Sequence, residues 1–145
     1  MRYLMSIMST PEDEAAAYDI GPEVYEEMAR YNEEMAKAGV LLTGEGLAPT
    51  SEGAEILFRD GEVSVTDGPF TEAKEFIAGY WVLQVSSRAE AVEWARRCPH
   101  PPKGSGAGIK LQLRRIGELE DLDRMPEELK ERERELRAEQ ERRNG

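Results

Sequence analysis

The polar residues best suited to chemistry are concentrated in one segment, residues 65–75, between two predicted strands. Gly68 and Pro69 favour a sharp turn there, which places Asp67 at the end of a strand and Phe70 as an apolar anchor. A carboxylate on a rigid strand end beside a lysine suits proton transfer or the binding of a polar ligand. We therefore predict Asp67 as the catalytic residue. The predicted ligand contacts of this segment are Phe70, Glu72 and Lys74.

The same residues also allow a purely structural role for Asp67. Its side chain can accept backbone N–H bonds in an Asx-turn while the neighbouring charges remain solvated. A catalytic Asp67 requires an adjacent cavity, whereas a structural Asp67 requires only backbone donors. The residues alone leave both interpretations open.

Two residues outside this segment are also predicted to contact a ligand. Glu45 lies between Gly44 and Gly46 after the second predicted strand, where the glycines allow a ligand to approach the backbone closely. Tyr80 precedes Trp81 in a strand, so one ring faces the helices and the other faces the opposite side of the sheet. Either ring can line a pocket, and plain core packing is the alternative for both.

The chain contains one cysteine and one histidine, which excludes several kinds of site. Cys98 alone cannot form an internal disulfide or a multi-cysteine metal site, and His100 alone cannot form a His-rich metal site. We therefore expect no metal and no cofactor. Cys98 precedes a proline near a helix end and is predicted to be a small buried residue, whereas His100 is predicted to be a surface residue of a proline-rich loop.

Hydrophobic patterning predicts the order strand, helix, strand, hairpin, strand, helix, strand over residues 1–114. Asp60-Gly61 between two strand-like runs is a strong hairpin signal. The first helix is marked by an apolar stripe at helical spacing: Val24, Met28, Tyr31 and Met35. The resulting β-α-β-β-α-β core with an extra hairpin is a ferredoxin-like sandwich of class α+β.

The first predicted strand is apolar on both faces. One face carries Tyr3, Met5 and Ile7, and the other carries Leu4 and Met8. Because a ferredoxin-like sheet has helices on one face only, the second face needs another cover. We expect a homodimer that packs sheet against sheet, and the alternative is that the hairpin and loops cover this face within one subunit.

The composition excludes some classes of partner. With 30 acidic and 19 basic residues among 145, the formal net charge is −11. This balance disfavours direct nucleic-acid binding, because phosphate contacts need a basic face. There is no apolar run of membrane-spanning length, so no membrane partner is expected. The single cysteine fits a reducing cytoplasm, and the first residues lack the pattern of a cleaved signal peptide.

The composition changes after Ile116. Residues 118–143 contain eleven acidic and seven basic residues and few apolar ones. Met125-Pro126-Glu127-Glu128 signals a helix start, with acidic side chains near the positive end of the helix dipole. We therefore predict a domain over residues 1–116 and a charged helical extension over residues 117–145, which contacts the core or a partner along one narrow stripe.

Several motifs together resemble the DGPF-type proteins of the YCII-related family. The central motif is Asp67-Gly68-Pro69-Phe70-Thr71-Glu72, and the resemblance covers residues 1–116 in unbroken order. The flanking motifs are Gly39-Val40-Leu41, Gly44-Glu45-Gly46-Leu47, Lys74-Glu75, Gly79-Tyr80-Trp81, Trp94-Ala95 and Cys98-Pro99. The resemblance implies a ferredoxin-like fold that pairs into a dimeric α+β barrel.

The resemblance also implies two different kinds of function. Family members resemble small barrel enzymes such as muconolactone isomerase, and a His–Asp pair is implied as catalytic in YCII-type relatives. Asp67 matches the aspartate of that pair, but residues 9–24 contain no histidine. DGPF-type proteins are also associated with extracytoplasmic-function sigma factors. The two hypotheses are therefore a small-molecule site with metal-free proton transfer, and a non-catalytic module that contacts a sigma factor through its acidic surface and C-terminal helix.

Overall fold

A computed structural model describes residues 1–15 and 22–145 of the chain. In these residues the helices and strands follow the predicted order, with one short helix, Pro11–Ala15, in addition. They are β1 (Arg2–Ser9), α1 (Pro11–Ala15), α2 (Pro22–Lys37), β2 (Leu41–Gly46), β3 (Ala54–Arg59), β4 (Glu62–Asp67), β5 (Phe76–Gln84), α3 (Arg88–Arg96), β6 (Lys110–Arg115) and α4 (Glu127–Asn144).

Four strands form one antiparallel sheet in the order β2-β5-β1-β6. On the central strand β1, Met5 lies opposite Trp81 of β5 and Leu113 of β6. This is the strand order of a β-α-β-β-α-β sandwich, because each helix connects two strands that are not neighbours in the sheet. The predicted ferredoxin-like α+β class is confirmed. Within the described part of the single chain the sheet remains open, and no closed barrel forms.

The extra hairpin, β3 and β4, forms a separate two-stranded sheet. Its turn consists of Asp60 and Gly61, which both have positive φ angles, 51° and 75°. A two-residue turn with two positive φ angles matches the right-handed twist of the flanking strands, and Asp-Gly tolerates it well. The hairpin predicted from this dipeptide is therefore confirmed.

The core lies between one face of the four-stranded sheet and the helices α2 and α3. Its most deeply buried large side chains are Met5, Met35 and Leu83. Tyr31 of α2 donates a hydrogen bond of 2.7 Å to the backbone oxygen of Trp94 and meets Trp81 edge-on at 5.7 Å between ring centroids. Since the buried hydroxyl has a partner, the ring can lie in the core without leaving a polar group unsatisfied.

Two details differ from the expectations. β2 extends to Gly46, so Glu45 lies inside a strand rather than after it, because residues 44–46 pair with β5. Val24 belongs to the predicted apolar stripe but is 45% exposed. The reason is that α2 meets the core only with its later turns, where Tyr31 and Met35 are buried.

The chain divides into two compact units, Met1–Arg115 and Ile116–Gly145. In the second unit, Glu118 and Asp121 form a reciprocal capping box around the short 3-10 turn Leu119–Asp121. α4 has no buried residue, and its exposed charges pair along the helix, as Arg137 does with Glu133 at 3.1 Å. Such pairs stabilise a helix by only about 0.3–0.5 kcal/mol each. Among the described helices, none is long and apolar enough to cross a membrane.

Truncation of Met35 tests the placement of the core. Met35→Ala removes a fully buried side chain, so we expect the free energy of unfolding to fall by about 2–5 kcal/mol. Val24→Ala on the exposed part of the same helix is the control and should change it by less than about 0.5 kcal/mol. Urea unfolding measures both, and equal losses would contradict this account of α2.

Candidate functional site

The turn after β4 is packed tightly against the loop before β3. The N–H of Gly68 donates to the backbone oxygen of Gly53 at 2.9 Å, and the peptide bond between Gly68 and Pro69 is cis. A Cβ atom at position 68 would lie 1.7 Å from the backbone oxygen of Thr50. Because that contact is with backbone, only glycine fits here. The turn therefore determines how the hairpin joins the rest of its unit.

Phe70 and Thr50 connect this turn to α1. Both the backbone N–H and the hydroxyl of Thr50 donate to the carboxylate of Glu14, the hydroxyl at 2.6 Å. The N–H of Phe70 in turn donates to the Thr50 hydroxyl oxygen at 3.2 Å. Phe70 also borders a cavity of about 270 Å³. One polar group of its lining, the Glu14 carboxylate, is already bound by Thr50. The cavity is lined by Pro11, Glu14, Ala15, Pro49, Ser51, Pro69, Phe70 and Thr71.

The charged residues of the same segment lie on the outside of the turn. Asp67, Glu72 and Lys74 are exposed. In the part of the chain that the structure describes, the Asp67 carboxylate accepts no hydrogen bond and forms no ion pair with Lys74. The following residue, Glu75, instead pairs with Lys110 of β6 at 2.5 Å. The structure therefore does not gather these charges around one point.

A second cavity, of about 300 Å³, lies between α2 and one end of the sheet. We call it the glycine-lined cavity, because strand pairing places Gly44, Gly46 and Gly79 on the helix-facing side of β2 and β5. A Cβ at Gly44 would lie 2.7 Å from the Trp81 ring, whereas a Cβ at Gly46 would meet nothing within 4 Å. Gly44 therefore leaves room for the Trp81 indole, and Gly46 leaves open space beside that ring. The full lining is Ile7, Met28, Asn32, Gly44, Glu45, Gly46, Ala78, Gly79, Tyr80 and Trp81.

Asn32 is the polar side chain that α2 contributes to this cavity. Its Oδ1 accepts a hydrogen bond of 2.8 Å from the indole N–H of Trp81. The amide oxygen is thereby engaged, and the amide NH₂ group is the remaining donor. Asn32 was missed by the sequence analysis, although it follows Met28 by four positions and precedes Met35 by three. The signal for Asn32 in the sequence is its position as a polar residue within an otherwise apolar helical stripe.

Of the predicted site residues, the structure brings Glu45 and Tyr80 together. They are direct cross-strand partners, and both are among the residues that border the glycine-lined cavity. Their side chains lie on the opposite face of the sheet from its glycines, because successive residues of a strand alternate in direction. Asp67 and Phe70 are not among the residues that line this cavity. The sequence-predicted residues therefore divide between two places, with Glu45 and Tyr80 at one and Phe70 at the other.

Cys98 and His100 lie beside a third cavity, of about 300 Å³, at the end of α3. Burial raises the pKa of the Cys98 thiol to about 11, so the thiol is protonated at neutral pH and is a poor nucleophile. The Nδ1 atom of His100 lies 2.8 Å from the backbone oxygen of Cys98, a local contact within the loop. In the described residues, no three His, Cys, Asp or Glu side chains cluster closely enough to hold a metal ion.

Comparison with known proteins gives two relationships. The family model described as YCII-related domain matches residues 1–112. An uncharacterized protein of Rhizobium meliloti is 39% identical over 61 residues, which is 41% of this chain and 49% of that protein. The chain thus matches about half the length of that curated relative.

The two glycines of β2 should respond oppositely to alanine. Gly44→Ala forces the Trp81 ring to move, so we expect a loss of about 1–3 kcal/mol in the free energy of unfolding. Gly46→Ala meets open space at an ordinary backbone angle and should be neutral or stabilising by up to about 1 kcal/mol. Urea unfolding measures both changes, and a larger loss for Gly46→Ala would contradict the described packing.

Burial of Cys98 predicts a loss of stability at alkaline pH. Because the folded state favours the neutral thiol, its contribution is complete below the ordinary thiol pKa, about 8.5, and is lost as pH rises towards 11. The loss should reach about 3 kcal/mol at most. In Cys98→Ala, the free energy of unfolding should fall less steeply with pH over this range. Part of the fall should remain, because burial also raises the pKa of Tyr31. An unchanged slope would contradict the assignment to Cys98.

Proposed function

The chain belongs to the YCII-related family, and from this premise we propose that it is a small-molecule-binding protein whose ligand occupies the glycine-lined cavity. The observation that carries this proposal is the open space above Gly46, beside the Trp81 ring that rests on Gly44. A sheet that only packed on its helix would be expected to fill this position with an apolar side chain. The absence of side chains at Gly44, Gly46 and Gly79 instead preserves a space of ligand size.

The chemistry of the cavity wall suggests the class of ligand. Ile7, Met28 and Trp81 provide apolar surface, and the Asn32 amide provides a hydrogen-bond donor. A compact, mostly apolar molecule with one carbonyl oxygen fits both features. The volume of about 300 Å³ suits a ligand of about ten to fifteen non-hydrogen atoms. Small lactones and aromatic amides are of this kind.

Metal-free proton transfer is the chemical step that we propose for Glu45 and Tyr80. Strand alternation directs the carboxylate of Glu45 and the phenol of its strand partner Tyr80 to the face of the sheet opposite the glycine-lined cavity. Either oxygen can exchange a proton with a carbonyl compound bound on that face. Asp67, the aspartate of the motif, lies at the base of the hairpin and would act only on a ligand bound there.

We also propose a homodimer that covers the second face of the sheet. This face carries Leu4 opposite Val82, and Met8 and Tyr80 beside them, all half-buried. We call these four residues the open sheet face, because the helices α2 and α3 pack on the other side. A two-fold axis through this face would bury the same residues of both copies.

A non-catalytic interaction module is the second candidate function, and α4 favours it. The helix has no buried residue and displays acidic and basic side chains on its surface. In this proposal residues 1–116 form the YCII-related domain, and residues 117–145 form an extension that contacts a partner such as an extracytoplasmic-function sigma factor. Such a partner would place the protein in the cytoplasm. That compartment is reducing, so an unpaired cysteine such as the buried Cys98 is usual there.

Binding of a small probe tests the first candidate. Trp81 lines the cavity, so its fluorescence in a Trp94→Phe background should change when benzamide or coumarin binds. Gly46→Leu fills the open space and should abolish the change, and Asn32→Ala should weaken binding by about tenfold through loss of one hydrogen bond.

Ser64→Leu introduces the same side chain on an exposed strand position away from the cavity and serves as the control. It should bind the probe as the parent protein does. If neither probe binds the parent protein, or if Gly46→Leu binds as well as Ser64→Leu, the small-molecule proposal fails. Failure with an intact dimer would favour the interaction module.

A further inference from the structure

The hairpin exposes one strongly apolar face. Directly opposed residues of an antiparallel pair lie on the same face, so Ile56 with Val65 and Phe58 with Val63 form one patch. These four residues, which we call the hairpin's apolar face, are 52–74% exposed. The opposite face of the hairpin is mostly polar, with Leu57 among charged and hydroxyl side chains.

This alternation is typical of a strand pair that packs one face on a core. In this chain, however, every residue of β3 and β4 is exposed. An isolated two-stranded hairpin is only marginally stable in water, and patches of a few hundred Å² of exposed apolar surface are usually interaction sites. The hairpin therefore has the pattern of a covered element, without a cover from the described part of its own chain.

Charge indicates which surface covers it. The hairpin, Ala54–Asp67, contains four acidic residues and one basic residue, and Asp67 lies on the side of its apolar face. On the open face of the edge strand β6, Arg114 lies opposite Leu4, whereas Lys110 is already paired with Glu75 at 2.5 Å. Two hairpins packed on each other would repel, whereas a hairpin that lies beside β6 would meet the positive charge of Arg114.

The area involved suits a stable dimer. The hairpin's apolar face exposes on the order of 400 Å², and the surface that it covers would lose a similar area. Two such contacts, related by a two-fold axis, would bury about 1,600 Å² in total, the size of a standard specific interface. A second copy of this chain therefore satisfies the charge, the area and the symmetry together.

We propose that the hairpin's apolar face packs on a second copy of the chain, at the β6 side of that copy's open sheet face. There Leu4 and Met8 lie next to Arg114 and Lys110, which the register of β1 and β6 places directly opposite them. Each copy gives one hairpin and receives one, so the contact closes as a pair. This inference rests on the homodimer of the proposed function and adds the element that holds it together.

Two adjacent residues of β3 give a matched test. Phe58→Glu places a charge on the hairpin's apolar face, and Leu57→Glu places the same charge on the opposite face of the same strand. Both residues are exposed, so neither change should affect folding, and thermal unfolding checks this. In sedimentation equilibrium, Phe58→Glu should weaken dimerisation at least tenfold, whereas Leu57→Glu should change it by less than about twofold.

Two further variants separate this inference from the sheet-against-sheet dimer. Arg114→Glu should also weaken dimerisation if the hairpin lies beside β6, and no effect would overturn that placement in favour of two hairpins in contact. Val82→Glu, or Val82→Ser if the first does not fold, tests the open sheet face. If the Val82 variant no longer dimerises but Phe58→Glu dimerises as the parent protein does, the proposed homodimer stands and the hairpin contact is overturned. A parent protein that is monomeric at about 10 μM overturns both.

Discussion

The position of Trp81 links the largest number of features in the first unit. Its indole rests over Gly44 of β2, donates to Asn32 of α2 and meets Tyr31 edge-on. Each contact involves a different element, so the ring determines how far α2 lies from the β2 end of the sheet. The hydrogen bond to Asn32 helps to hold the ring over Gly44, beside the open space above Gly46. The glycine-lined cavity thus depends both on the missing side chains of its glycines and on where this ring is held.

The Asp67-Gly68-Pro69-Phe70 motif has a structural role in the first unit. The contact between Gly68 and the Thr50 backbone leaves no room for a side chain, and Phe70 binds the same threonine through its N–H. Thr50 in turn is bound by Glu14. The motif therefore connects the hairpin, the loop before it and α1 through close packing and hydrogen bonds to Thr50, while the Asp67 carboxylate remains at the exposed end of β4.

Local patterns predicted much of the fold, and long-range contacts limited what they predicted of the site. Asp60-Gly61 was sufficient for the hairpin because turn geometry depends on neighbouring residues only. The bond between Asn32 and Trp81 joins residues 49 positions apart, and that between Glu14 and Thr50 spans 36. No local pattern specifies such partners. Glu45 was placed after β2 because of its flanking glycines, yet pairing with Tyr80 outweighs their weak strand preference.

The distribution of charge bears on how the apolar surfaces of the first unit can be covered. Residues 118–143 hold eleven acidic and seven basic residues, so the rest of the chain still has an acidic excess. Two copies with the same excess repel at long range, which disfavours non-specific contact between their apolar faces. In the proposed dimer, the acidic hairpin of one copy would lie beside Arg114 of the other, which would reverse this repulsion locally. The charges that keep two copies apart in most orientations would then favour the one orientation in which the apolar faces meet.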